Sequence, residues 1–245
     1  MDRAKDKTEA DILVSPNAFA TILVHAQPGT ASSHRVEAAS RLARDLGATL
    51  IGLGAETFTL PPATDSYMGY AAGEWLAQSE AQIISDLAAA ESAFRRDAAG
   101  ADIEWRTAQD YPREALKALA HAADLIVVSP RGALGDSWTA DPADVVMGAG
   151  RPVLLVPEGR NHLRGKAVVF AWKDSREARR ALTDSLPFLQ RAEDVMVTVV
   201  HGPDETVEEQ QLADVVANLK RHGVRARALV TSARPDDVPD ELQKV

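Results

Sequence analysis

A loop with the composition of a phosphate-binding turn follows one of the apolar segments of the chain. The stretch Val127–Pro142, VVSPRGALGDSWTADP, contains two close glycines and hydroxyl side chains. Glycines allow backbone N–H groups to approach phosphate oxygens, and helix N-termini favour anions. Arg131 adds a cation beside Gly132. The residue types leave two interpretations open: a loop that holds an anion, or a surface loop that has lost this ability.

The motifs of other phosphate and acyl chemistry do not occur in the sequence. There is no G-x4-G-K-[S/T] and no G-x-S-x-G, so a Walker loop and a hydrolase elbow are excluded, although Ser129 ends an apolar run. The chain has no cysteine, which excludes thiolate chemistry. The six histidines include no pair four residues apart. The sequence therefore predicts no catalytic residue and no metal site.

An acidic cluster in the same region has two interpretations. The segment Asp136–Asp144, DSWTADPAD, contains three carboxylates, which could bind a divalent cation or transfer protons. Such residues more often begin helices, and Asp141 directly precedes Pro142. Aspartate at the N-cap with proline at the first helical position is a typical helix start. The spacing therefore favours capping.

The elements that would position these residues alternate between strands and helices. Short apolar runs resemble buried strands, and amphipathic segments such as SSHRVEAASRLARDLG lie between them. Five runs occur in the first part of the chain: FATILVHA, ATLIGLGA, ADIEWRTA, DLIVVS and RPVLLVPEG. This pattern predicts an α/β domain with a doubly wound, parallel, five-stranded sheet.

The strand and helix pattern begins again after the fifth run. The segment Ile22–Gly29 aligns with Val168–Ser175 at a constant offset of 146 residues. We therefore predict a tail at residues 1–18, a first domain at 19–158 and a second, incomplete copy at 159–245. The expected fourth and fifth strands of the second copy would fall beyond Val245.

Composition excludes several classes of partner. The formal charge is −9, with 45% apolar and 26% charged residues, so no basic surface for nucleic acid is expected. No run approaches the ~20 apolar residues that span a bilayer. The sequence thus predicts a cytoplasmic protein that binds neither nucleic acid nor membrane.

The sequence resembles the universal stress protein family over about Thr21–Val245. The resemblance rests on four segments: ILVHAQPGTASSHRVEAASRLARDLGATLIGL, ADLIVVSPRG, GRPVLLVP and VVFAWKDSREARRAL. Because the pattern occurs twice, the chain resembles a tandem member of the family. It implies an adenine nucleotide alpha hydrolase-like fold, often paired through the fifth strand. Many members bind ATP, and others do not.

The ATP motif of this family is altered in the loop after the fourth strand. Members that bind ATP carry G-x2-G-x9-G-[S/T]. Here Ser129 stands at the first glycine, Pro130 has no N–H to donate, and only Gly132 matches. The final Gly-Ser or Gly-Thr falls on Thr139-Ala140 or on Pro142-Ala143, depending on the length of the loop.

The acidic residue that contacts adenine in the family is also replaced. Its position falls on Gln27 in the first half and on Lys173 in the second, where Asp174 is adjacent. The nucleotide site implied by resemblance therefore comprises Gln27, Ser129, Arg131, Gly132, Thr139, Lys173 and Asp174.

The sequence favours a non-catalytic stress-response or regulatory protein that works by association. Its partner would be a second copy or another protein, paired through Val153–Val156, and it would need no cofactor. The alternative is a sensor that binds ATP or another adenine nucleotide. Aromatic residues Tyr67, Tyr70 and Trp75 either anchor a partner or pack on their own domain.

Overall fold

The chain divides into two compact units, each built on one parallel sheet. The first unit is residues 19–163, and the second begins at residue 164. The predicted α/β class with a parallel five-stranded sheet is confirmed, and a second sheet has three strands. The fold is taken from a computed structural model, which describes residues 19–58, 68–130, 140–161, 163, 165–202 and 209–244.

Strands and helices alternate along the first unit. The strands are β1 (Thr21–His25), β2 (Thr49–Ala55), β3 (Asp102–Ala108), β4 (Leu125–Val128) and β5 (Val153–Leu155). The helices are α1 (Thr30–Leu46), α2 (Met68–Asp97), α3 (Pro112–Leu119) and α4 (Pro142–Ala149), and a 3-10 turn covers Ala120–Ala122. The apolar spacing of the sequence predicts a helix from about Glu74 to Ala98, whereas helix α2 begins six residues earlier, at Met68.

The strand order is β3-β2-β1-β4-β5, and every pair is parallel. From β1 the chain continues outwards to β2 and β3, whereas from β4 it continues to β5 on the other side. Because such crossovers are right-handed, α1 and α2 cover one face and α3 and α4 the other. Helix α1 accordingly contacts α2, and α3 contacts α4. The carboxyl ends of β1 and β4 therefore border the crevice at which such sheets bind ligands.

The floor of this crevice is the most deeply buried part of the sheet. In β1, Ile22, Leu23 and Val24 are all 0% exposed, and in β4 Ile126 and Val127 are as well. Burying a side chain of this kind stabilises a fold by ~1.5–3 kcal/mol. The two strands thus provide a rigid base for the residues that follow them.

Two glycines in β2 allow aromatic side chains to lie directly on the sheet. A Cβ at Gly52 would lie 2.7 Å from the Phe94 ring of α2, and one at Gly54 would lie 2.7 Å from the Trp105 ring of β3. The centroids of these two rings are 5.4 Å apart. Phe94 is 1% exposed, so its ring is enclosed by the protein. The absence of a side chain at Gly52 therefore sets how closely α2 packs on β2.

Asp141 begins helix α4, as predicted, and Gly47 ends helix α1. Asp141 is the N-cap of α4, and its carboxylate accepts a hydrogen bond of 3.0 Å from the Ala143 N–H. The capping interpretation of Asp141 is confirmed. Gly47 ends α1 in the left-handed region with φ 66°, a conformation that favours glycine.

The second unit has three parallel strands in the order β6-β7-β8. They are β6 (Ala167–Ala171), β7 (Asp194–His201) and β8 (Ala226–Ser232), with helices α5 (Arg176–Leu189), α6 (Glu209–Arg221) and α7 (Val238–Lys244). A 3-10 turn covers Pro235–Asp237. One face of the sheet packs on α5 and α6 through Leu189, Val195, Val197, Leu212 and Leu219.

The strands that the internal repeat aligns differ in burial. In β1 the residues Ile22–His25 are all buried, whereas β6 alternates between half-buried and exposed positions, with Val169 42% exposed. Strand β1 has β2 and β4 as neighbours, while β6 pairs with β7 alone within the described residues. Since successive side chains of a strand point to opposite faces, the alternation shows that one face of β6 is packed, through Val168 and Phe170, and that the other is exposed.

The aromatic side chain of Trp75 contacts another aromatic residue of its own unit. Its ring meets Phe58 edge to face, with centroids 6.2 Å apart and an interplanar angle of 85°. Tyr67 and the Tyr70 side chain lie outside the described residues. For Trp75, the contact favours packing on its own domain.

Candidate ligand site at the carboxyl ends of β1 and β4

Two residues predicted from the sequence, Gln27 and Ser129, lie at the crevice between β1 and β4. Gln27 follows β1, and Ser129 directly follows β4. The Gln27 N–H donates a 3.0 Å hydrogen bond to Ser32 Oγ in the first turn of α1. The Ser129 hydroxyl accepts a 2.7 Å hydrogen bond from Arg35, also in α1. Helix α1 therefore holds both strand ends together.

Arg35 crosses the crevice from one strand end to the other. Its Nε and Nη2 donate to the His25 carbonyl at 3.0 and 2.8 Å, and its Nη1 donates to Ser129 Oγ. A longer contact of 3.4 Å joins Nη2 to Ser32 Oγ. A planar guanidinium can make these bonds at once because its donors form a rigid fork. Arg35 thus connects the end of β1 to the end of β4.

The charge of Arg35 lies in the interior of the first unit. The residue is 4% exposed, and no carboxylate in the described part of the chain forms an ion pair with it. Removing the guanidinium from water lowers the pKa of Arg35 to about 10, so it stays protonated at neutral pH. The guanidinium of Arg35 therefore places a buried positive charge in the crevice.

The neighbouring His25 is neutral. Burial, with a smaller contribution from the Arg35 charge, lowers the pKa of His25 from 6.5 to about 3. Its side chain is 4% exposed. A base whose conjugate acid has so low a pKa accepts protons poorly at neutral pH, which disfavours a role for His25 as a general base.

These residues line a small polar recess. Its volume is about 10 Å³, close to the space for one water molecule. Polar and apolar residues both line the recess: His25, Gln27, Arg35, Val128, Ser129 and Ala140. Ser129 and Gln27 are half-buried. In its described lining the recess has no carboxylate.

The other residues implied by resemblance fall into two groups. Arg131, Gly132 and Thr139 lie outside the described residues. Lys173 and Asp174 lie in the second unit, after β6, where both are exposed. Asp174 accepts hydrogen bonds from Arg179 Nε and Nη2 at 3.1 and 2.6 Å.

Sequence reasoning missed Arg35, Ser32 and His25 as members of the site. Two signals in the sequence point to Arg35. It lies three residues after Ser32 and four before Ala39, on the buried stripe of α1. The offset of 146 residues also aligns it with Ala181, so the repeat has a small apolar residue where the first unit has a cation. A charged residue on a buried stripe is a candidate functional residue.

Comparisons with known proteins identify the fold. No protein-family model matches the sequence, and comparison with curated protein sequences gives no match. A universal stress protein from Archaeoglobus fulgidus DSM 4304 superposes with a TM-score of 0.64 at 14% identity, covering 94% of this chain and 84% of that one. The chain therefore has the fold of a universal stress protein.

Two other solved structures show lower similarity. A putative universal stress protein from Pseudomonas aeruginosa UCBPP-PA14 gives a TM-score of 0.49 at 18% identity, covering 93% of this chain and 79% of that one. A universal stress protein in complex with cAMP gives 0.42 at 24% identity, covering 58% of this chain and all of that one (100%). Across the described ranges, no helix has the length and apolar character needed to cross a membrane.

Proposed function

We propose that this protein is a non-catalytic stress-response or regulatory protein of the universal stress type, and that its nucleotide crevice is closed by Arg35. The observation that carries the proposal is the bridge from Arg35 to the His25 carbonyl and Ser129 Oγ. The guanidinium occupies the crevice between β1 and β4, where a ligand of this fold class would enter.

The chemistry of the described crevice supports a non-catalytic role. The Ser129 hydroxyl accepts a hydrogen bond from a cation, and the neighbouring imidazole of His25 is a weak base. Activation of a serine nucleophile requires a base within hydrogen-bond reach. His25 does not meet this requirement at neutral pH.

In this proposal the protein acts through association along β5. This strand is an edge of the first sheet, and Leu155 on it is 45% exposed. On the adjacent helix α4, Val146 and Met147 are 49% and 86% exposed. Exposed apolar side chains beside a strand that ends the sheet in the described part of the chain favour pairing with a second copy of the chain or with another protein.

The proposal includes two universal-stress-like domains, residues 19–158 and 159–245, the second incomplete, preceded by a tail at 1–18. The internal repeat and the parallel order of both sheets support it. It also places the protein in the cytoplasm without a nucleic-acid or membrane partner, which the acidic composition supports.

The alternative function is a sensor of adenine nucleotides. The observation that favours it is the position of Gln27 and Ser129 at the crevice, since doubly wound folds bind ligands there. In such a sensor the Arg35 side chain would leave the recess and pair with phosphate.

Nucleotide analysis of the purified protein separates these two functions. The protein is denatured, and the nucleotide in the supernatant is quantified by chromatography. We expect far less than one nucleotide per chain. Stoichiometric nucleotide would overturn the proposed closure and support the sensor.

A further inference from the structure

We propose that residues 10–16 of this chain pair with the edge of β6 and form a fourth strand of the second sheet. The observation is that their sequence, ADILVSP, nearly repeats ADLIVVSP, residues 123–130, which contains β4 of the first unit. Residues 10–16 lie outside the described residues. The proposal concerns the architecture of the second unit, and it stands or fails separately from the closure of the crevice by Arg35.

The first unit shows which position such a strand takes. Strand β4 pairs with β1 on the side opposite β2, with Ile22 beside Leu125 and Val24 beside Val127. The order β3-β2-β1 corresponds to the order β8-β7-β6, and the offset of 146 residues aligns β1 with β6. The edge of β6 opposite β7 is therefore the position that β4 occupies in the first unit.

The sequence of β6 does not discourage pairing with a further strand. Charged side chains and prolines on edge strands usually do so. The edge strand β3 carries Asp102, Glu104 and Arg106, and the edge strand β8 carries Arg227. Strand β6 reads AVVFA, without charge or proline, and its Val169 is 42% exposed. Strand β6 is therefore suited to accept a neighbour.

The sequence match also sets the register of the added strand. Aligning Ile12 with Leu125 places Ile12 beside Val168 and Val14 beside Phe170. Neighbouring residues of paired strands point to the same face of the sheet. Val168 and Phe170 are half-buried and pack on the core that α5 and α6 cover. The two added side chains would extend this apolar core.

An aspartate within the match has a structural role in the first unit. The Asp124 carboxylate accepts hydrogen bonds of 2.9 and 3.1 Å from the backbone N–H groups of Ala20 and Thr21, where β1 begins. Asp11 stands at the equivalent position of the repeated segment. In the proposed pairing, its carboxylate accepts hydrogen bonds from the corresponding N–H groups at the start of β6.

The longer internal segments outside the described residues fit this edge less well. Strands are built from runs of β-branched, aliphatic and aromatic residues. Residues 10–16 contain such a run, Ile-Leu-Val. The segments TLPPATDSY, RGALGDSWT and PDETVE, at residues 59–67, 131–139 and 203–208, contain no three apolar residues in succession.

A pair of introduced cysteines tests the pairing, because the chain has no cysteine of its own. Leu13→Cys with Val169→Cys places the thiols on neighbouring strands, whose Cα atoms would lie ~4.8 Å apart, within the range of a disulfide. The control is Leu13→Cys with Val230→Cys. Val230 is 39% exposed on β8, three strand spacings, roughly 14 Å, from the added strand. Under mild oxidation, we expect a cross-linked monomer that forms at least about tenfold faster in the first pair.

Hydrogen exchange of the wild-type chain, resolved by residue with NMR, requires no substitution. The amides of residues 12–14 that bond to β6 should exchange at least ~100-fold more slowly than those of an unstructured peptide. Asp11→Asn should reduce this protection about tenfold, because hydrogen bonds to a charged acceptor are weakened. Asp6→Asn, outside the matched segment, is the control and should leave the protection unchanged.

Three outcomes would overturn the proposal. The first is an equal rate of cross-linking in the two cysteine pairs. The second is a cross-linked dimer in place of the monomer, which would assign the strand to a second copy of the chain. The third is exchange of all amides of residues 12–14 at the rate of an unstructured peptide.

Discussion

Arg35 and His25 show how burial changes the chemistry of ordinary side chains. They lie at the same strand end, and the pKa of each is lowered because the charged form is removed from water. Arg35 remains charged at neutral pH since its pKa falls only to about 10. His25 is neutral. Arg35 therefore keeps its positive charge in the crevice across the physiological pH range.

The buried His25 predicts a pH dependence of stability. The pKa of this histidine is about 3 when folded and near 6.5 when unfolded, so between these values the unfolded chain binds more protons. The free energy of unfolding should therefore fall as pH drops from 6.5 towards 3, by up to ~1.4 kcal/mol per pH unit from this group. Urea unfolding at pH 7, 6 and 5, fixed by buffer choice, measures the slope.

The control for this prediction is His25→Gln, which cannot titrate. Glu56 has a raised pKa through burial and the charge of Asp86, so its contribution to the slope has the opposite sign. Because Glu56 titrates in both proteins, the difference between the two slopes isolates His25. Identical slopes from pH 7 to 5 would show that His25 is not held neutral in the fold.

The arginine bridge should be specific to the guanidinium. Arg35→Lys keeps the charge but has a single nitrogen, which cannot reach the His25 carbonyl and Ser129 Oγ with the same fork. We expect a loss of ~1–3 kcal/mol in the free energy of unfolding, from unsatisfied buried groups. Arg44→Lys in the same helix, where the guanidinium contacts Ser40 and the Ala99 carbonyl nearer the surface, should cost less. An equal loss in both variants would contradict a special role for Arg35.

At the scale of elements, the contact of α2 with β2 depends on a missing side chain. A Cβ at Gly52 would lie 2.7 Å from the buried ring of Phe94, so Gly52→Ala must displace that ring. Overpacking of this kind costs ~1–3 kcal/mol. The matched control is Gly73→Ala in α2, where nothing lies within 4 Å of the added Cβ, and it should stabilise by ~0.5–1 kcal/mol. Equilibrium unfolding measures the free energy of unfolding of both variants. If Gly52→Ala left this free energy unchanged, Phe94 of α2 would not pack on β2 as described.

Most elements were predictable from the sequence because their signals are local. Short apolar runs, separated by amphipathic segments, predicted the five strands of the first unit. Asp141 before Pro142 predicted the start of α4. The beginning of α2 at Met68 was not predicted, because the proline-rich segment before it carries no helix signal.

The site was only partly predictable. Gln27 and Ser129 were predicted from the resemblance to the universal stress protein family, and both follow strands whose carboxyl ends border the crevice. Arg35 did not emerge, because its role depends on a contact between residues 94 positions apart in the chain, Arg35 and Ser129. Hydrophobic periodicity does not detect such a contact. The sequence signal for Arg35 is its charged side chain among the small and apolar residues of the buried stripe of α1.

At the scale of the whole molecule, association should depend on β5 and α4. Leu155→Lys and Met147→Lys place charges on their exposed apolar surface without removing core contacts, since Leu155 is 45% and Met147 86% exposed. We expect a shift towards monomer in light scattering after size exclusion. Ile84→Lys on α2, at an exposed apolar residue away from β5, is the control and should leave the mass unchanged. An unchanged mass in both Leu155→Lys and Met147→Lys would contradict the proposed interface.

The most direct test of the central claim, that Arg35 closes the nucleotide crevice, is titration calorimetry with ATP and magnesium on the wild type and Arg35→Ala. If Arg35 closes the crevice, the wild type gives no saturable heat up to about 1 mM ATP, equivalent to less than ~4 kcal/mol of binding free energy. Arg35→Ala, with the recess opened, gives measurable binding. Micromolar binding by the wild type that is lost in Arg35→Ala would contradict the claim, because Arg35 would then be a ligand of the nucleotide.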